Sequence, residues 1–125
     1  MRALVTAYLA GSVVGAVHSV RRRRHARFAG LQFPGTPFAH AVTIGSPLSA
    51  PPAILITLVV AERTGRSGLV KALSALFLIG IAAEADTLAT LRHPSKDPLS
   101  TTCVVLDVAL PAAMLVAVRR STIER

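Results

Sequence analysis

The chain has 125 residues and a mass of 13.1 kDa, enough for one domain. Apolar residues make up 52% of it, charged residues 16%, and the mean hydropathy is +0.57, which excludes the evenly charged surface of a soluble domain of this size. A net charge of +8 raises nucleic acid as a partner, but the basic residues sit at the ends of long uncharged runs, where membrane topology and lipid headgroups account for them, and no nucleic acid is expected.

The first uncharged run, from Ala3 to Val20, predicts a transmembrane helix over 3–20. Arg21, Arg22, Arg23 and Arg24 follow at once, with no small-residue cleavage site before them, so the run reads as a retained span with a stop-transfer flank facing anionic headgroups. Ala7, Gly11, Gly15 and Ser19 recur at four-residue spacing on this helix. Small residues at that spacing let another helix approach closely, either within the chain or in a homo-oligomer.

Residues 21–40 form a basic connection. Arg27 extends the arginine cluster, and Phe28, Phe33 and Phe38 among glycines and prolines predict a segment lying partly in the interface. A second span is predicted over 41–61, interrupted by Pro47, Pro51 and Pro52. Thr64, Gly65, Ser67 and Gly68 then supply a turn before a third span over 69–91. The stretch from His93 to Pro98 supplies the next turn, and a fourth span follows over 102–118. In that span Pro111 has no N–H for the Asp107 carbonyl, which predicts a kink.

The fold expected from these elements is an all-α integral membrane protein, a single domain of four transmembrane helices in an up-down-up-down bundle, multi-pass in the cell membrane. The Lys and Arg counts of the two sets of loops tie. The densest cluster follows the first helix, which favours both termini outside. Cys103 is the sole cysteine, which excludes an internal disulfide and a thiolate cage and reads as a small buried residue.

Glu62 and Glu124 lie at segment ends and Asp97 in a loop, whereas Glu84, Asp86 and Asp107 fall inside the third and fourth spans. An ionisable group in hydrocarbon is costly, so it faces a cavity or a partner, or holds a proton. Glu84 and Asp86 are two residues apart and point to different faces of a helix. Glu84 shares its face with Gly80, Ala83 and Thr87. The chain reverses between Glu84 and Asp107, which puts both in the same half of the membrane, roughly 7–10 Å below its surface by helical rise. His18 ends the first span on that side and His40 begins the second.

His18, His40, Glu84 and Asp107 are therefore the candidate proton-transfer or ligand cluster. They lack the His-x-x-x-His or His-Glu-x-x-His spacing of a metal site, and no metal or cofactor is expected. Three functions suit such a chain. The leading one is a proton-linked transport or channel subunit acting as an oligomer. The second is a membrane-embedded acid–base enzyme, an isomerase, cyclase or hydrolase of a lipophilic small molecule. The third is an accessory subunit of a larger membrane complex, with the acids as ties between helices.

Overall fold

The computed structural model describes residues 1–24, 27–28, 31–46 and 48–123, of which 27, 28, 85, 86, 95 and 121–123 are described by backbone alone. Pro47 and Glu124, and the side chains of Arg27, Phe28 and Asp86, therefore lie outside the described residues. Among the described residues the chain is mostly helical, with six α-helices: α1 (Arg2–Arg21), α2 (Pro37–Thr43), α3 (Pro52–Arg63), α4 (Ser67–Ala83), α5 (Ala85–Arg92) and α6 (Pro98–Ile123). Between α1 and α2, β1 (Arg27–Phe28) pairs antiparallel with β2 (Leu31–Gln32).

α1 matches its predicted span, and its end has a clear local cause. The Arg24 N–H donates to the Ser19 carbonyl at 2.9 Å and the Arg23 N–H to that of Val20 at 3.0 Å, while Arg23 takes the left-handed conformation with φ +53°. This is a Schellman stop with arginine where glycine is the usual residue. A side chain in that conformation costs about 1 kcal/mol. Arg23→Gly should accordingly raise the thermal unfolding midpoint, by an amount equivalent to about 1 kcal/mol at most. A lowered midpoint by circular dichroism would count against this account.

The second and third predicted spans are each divided. The segment 41–61 becomes α2, an irregular link and α3. α2 is capped by the Thr36 hydroxyl, which accepts from the Ala39 N–H at 3.1 Å, and carries Pro37 in its first turn. The link holds Gly45 at φ +90°, where a Cβ would lie 2.6 Å from the Ser49 carbonyl oxygen, and a tight bridge in which the Ser46 and Ser49 backbones donate to one another at 3.0 and 3.1 Å. Pro51 and Pro52 then open α3. The expected interruption is present, and it shortens α3 to 12 residues, about 18 Å.

The segment 69–91 breaks at Glu84, whose backbone is extended (φ −84°, ψ 115°) between α4 and α5. No proline or glycine marks that break, so the helical pattern carries straight through it in the sequence. α6 starts before the predicted 102 because Asp97 caps it and Pro98 is tolerated in a first turn. It runs unbroken through Pro111, which is buried.

α1 runs antiparallel to α3 and to α6 around one core. Arg2 at the start of α1 pairs with Glu62 near the end of α3, 3.6 Å from Nε to Oε1. His18 near the end of α1 meets Asp97 just before α6. The core gathers Val5 and Tyr8 of α1, Leu58 and Ala61 of α3, Val70, Leu73 and Phe77 of α4, and Met114 and Val118 of α6. A smaller cluster of Leu48, Cys103 and Val104 lies towards the other end.

α1 turns Val5, Tyr8, Ser12, Gly15 and Ser19 inward, at alternating three- and four-residue spacing. The small-residue face is thus only half used: Gly15 and Ser19 are buried, Ala7 is exposed and Gly11 has open space beside it. A strict four-residue repeat drifts about 40° per step around a 3.6-residue helix, so the four positions cannot all meet one neighbour.

Two helices, α1 and the Pro98–Arg120 stretch of α6, are long and apolar enough to cross a membrane. Only 28% and 33% of the residues in their apolar windows are buried. Many of the exposed side chains on these helices are apolar, with Val13 at 61% and Val105 at 51%, and on α4 Ile79 reaches 66%.

Candidate functional site

A cavity of about 370 Å³ opens between α4 and the α2–α3 link, with α1 and α6 behind it. Each wall follows from the local structure. The broken link brings Ile44, Ser46 and Ser49 to one side, and Pro51 and Ile54 continue it into α3. α4 forms the facing wall with Phe77, Gly80 and Ala83. Its exposed Leu76 and Ile79 stand at the rim, so the mouth opens sideways between helices.

Besides Ser46 and Ser49 of the link, Tyr8, Glu84 and Asp107 line this apolar space, each from a different element. Tyr8 comes from the buried stripe of α1 and packs on Phe77, ring centroids 4.8 Å apart at 41°. Glu84 arrives through the break between α4 and α5 and is 5% exposed. Asp107 occupies a core position of α6, in line with Ser100, Cys103, Val104, Pro111, Met114 and Val118, and is 6% exposed. No Arg, Lys or His lines the cavity among the described residues.

Of the four residues singled out in the sequence, the structure brings Glu84 and Asp107 to one cavity, whose lining includes neither His18 nor His40. The His18 Nε2–H donates to Asp97 Oδ2 at 3.1 Å, and the His40 Nε2–H donates to the Pro34 carbonyl at 3.1 Å. Glu84 and Thr87 are both buried and Gly80 and Ala83 line the cavity beside Glu84, but the break at Glu84 leaves Gly80 and Ala83 on α4 and Thr87 on α5, so the expected single helical face is divided.

Asp97 organises a second polar cluster at the end of the molecule. Its Oδ2 accepts from the Ser100 hydroxyl at 2.6 Å, from His18, and from Arg24 Nη2 at 3.1 Å, while its Oδ1 accepts from the Ser100 N–H at 3.1 Å. Arg24 reaches it because the Schellman stop of α1 turns the chain there. The Ser100 hydroxyl first, and then the His18 and Ser100 backbone donors, hold the Asp97 carboxyl well below the usual carboxylate range. Among the described residues no three His, Cys, Asp or Glu side chains are grouped to hold a metal ion.

Sequence reasoning missed Tyr8 and the importance of Asp97. The buried face of α1 was the signal for Tyr8, the chain's one tyrosine, because a phenol at a core position seeks a polar partner. Asp97 followed by Pro98 is a helix-start signature, and its reach across the chain to His18 and Arg24 is tertiary.

Comparison with family models, with curated proteins and with solved structures finds no match for this chain.

Proposed function

We propose that the chain is a polytopic membrane protein, its four apolar segments bundled up-down-up-down, that acts in an oligomer as a proton-linked transport or channel subunit. The observation that carries the reading is the placing of two carboxyl side chains, Glu84 and Asp107, on the walls of one apolar cavity. Carboxyls in such surroundings alternate between holding a proton and holding a counter-ion, which is the elementary step of proton coupling.

The membrane setting is supported by two helices of spanning length whose exposed faces are as apolar as their buried ones. Arg21, Arg22 and Arg23 suit anionic headgroups, while Arg24 is engaged by Asp97. Ala7 and Gly11, the part of the small-residue face left outside the core, suit contact with a second copy. His18 and His40 have no place in the proton step of this reading, because each is hydrogen-bonded away from the cavity.

Proton flux tests it. Liposomes reconstituted with the full chain, loaded with a pH-sensitive dye and given a pH step with potassium and valinomycin, should equilibrate faster than protein-free liposomes. The Glu84→Gln/Asp107→Asn double variant should lose most of that excess rate, about tenfold or more. An equal rate in wild type and double variant would overturn the proposal. The sideways mouth favours one second reading, a membrane-embedded acid–base enzyme whose lipophilic substrate enters from the bilayer. That reading needs chemical conversion of a bound lipophile without any excess proton flux.

A further inference from the structure

We infer that the cavity binds a lipophilic amine in its ammonium form, with the ammonium group held at Asp107 and the hydrocarbon body against the isoleucines of the link, α3 and α4. This rests on the transport reading and names its substrate class. Three observations select the ligand.

The first is the state of Asp107. It is 94% buried and lines the cavity, and its carboxyl makes no hydrogen bond or ion pair among the described residues. A carboxylate so placed requires neutralisation by a proton or a cation. The second is the sign of the lining. The titratable groups facing this space are Tyr8 from α1, Glu84 from the α4–α5 break and Asp107 itself, with Cys103 one turn earlier on α6; the link adds the Ser46 and Ser49 hydroxyls, and no basic side chain is present among the described residues. An anionic ligand would meet the Asp107 carboxyl with no basic side chain lining the cavity among the described residues.

The third is size and polarity. At about 370 Å³ the space falls in the range of small-molecule sites. Ile44, Ile54, Ile79 and Ile81 give the hydrocarbon body of an organic cation apolar walls to rest on. An ammonium group supplies several N–H donors, and the acceptors are at hand. Pro111 also leaves the Asp107 carbonyl without its helical donor beside the carboxyl. The exchange balances simply: R–NH₃⁺ enters, the Asp107 carboxyl gives up its proton to water, and an ammonium–carboxylate pair remains. One proton leaves for each cation bound, so proton and substrate compete for one carboxyl.

The chain carries its own reporter. It has one tyrosine and no tryptophan, so tyrosine emission comes from Tyr8 in the cavity wall. The purified full chain in mild detergent at constant pH should be titrated with 1-adamantylamine and, in parallel, with 1-adamantanol, which matches its shape without the charge. The amine should change Tyr8 emission saturably and bind at least about tenfold more tightly than the alcohol. In weakly buffered solution it should release protons as it binds, and Asp107→Asn should abolish both the preference and the release. Equal affinity for amine and alcohol in wild type, or no saturable response to either, would overturn the inference, and that comparison needs no variant to fold. An undiminished preference in a helical Asp107→Asn variant would overturn the assignment to Asp107. If proton flux in liposomes still depends on the two carboxyls, the transport reading stands and only the substrate class falls. If that flux is absent while the amine binds selectively, the cavity assignment stands without transport.

Discussion

Replacing Gly15 with alanine is expected to destabilise the protein by about 2 kcal/mol, while the same change at Gly11, one turn earlier, should be neutral or slightly stabilising. A Cβ at Gly15 would overlap the Leu48 carbonyl oxygen and lie 2.9 Å from its carbonyl carbon and 3.0 Å from its Cβ. Leu48 cannot easily retreat. It is 1% exposed, packs with Cys103 and Val104, lies inside the Ser46–Ser49 bridge and is closely followed by the prolines that open α3. Overpacking of this kind costs about 1–3 kcal/mol, against about 1 kcal/mol gained from the better helix propensity of alanine. Here the clash is with backbone and should win, towards the upper end of that range. At Gly11 nothing lies within 4 Å of the added carbon, so only the propensity gain remains. Unfolding midpoints of the two variants in the same detergent decide the matter. Equal midpoints would mean that the link does not rest on α1 at Gly15.

Removing Asp97 is expected to cost about 1–3 kcal/mol. The cap on α6 contributes about 1 kcal/mol, and each partly exposed ion pair, to His18 and to Arg24, at most about that much again. Asp97→Asn should retain the cap and lose the charge, and so fall between wild type and Asp97→Ala. The pH dependence follows from the same contacts. The folded-state pKa of Asp97 is lowered, so its contribution is fully present above the unfolded value of about 3.9 and is lost as pH falls from there towards the folded value. Wild type should therefore lose stability below about pH 4 more steeply than Asp97→Asn. Superimposable acid limbs in the two proteins would show that the cluster does not clamp the end of α1 to the start of α6.

These two sites show how far local rules reach. A stripe of small residues is visible in the sequence, but its four members look alike there. Only the path of the α2–α3 link distinguishes Gly15, with a backbone against it, from Gly11, with none. Asp97 before Pro98 announces a helix start. That it also gathers His18 and Arg24 depends on where α1 ends, which an arginine in a left-handed conformation decides.

By itself the sequence determined the apolar, helical character of the chain, the extent of α1, the interruption before α3 and the turn after it. The chain reversal between Glu84 and Asp107 was also legible there, and it allows the two acids to approach one cavity. Those properties depend on hydrophobic runs, on prolines that withhold an N–H and on helical rise, all of which are local. Only the tertiary structure decided the break at Glu84, the separation of His18 and His40 from the two acids, and the cavity that the acids share with Tyr8. The residues around Glu84 favour helix, so its extended backbone is a product of packing rather than of preference. A histidine pairs with whichever acceptor the assembled helices bring within about 3 Å, and no spacing along the chain specifies which one that is.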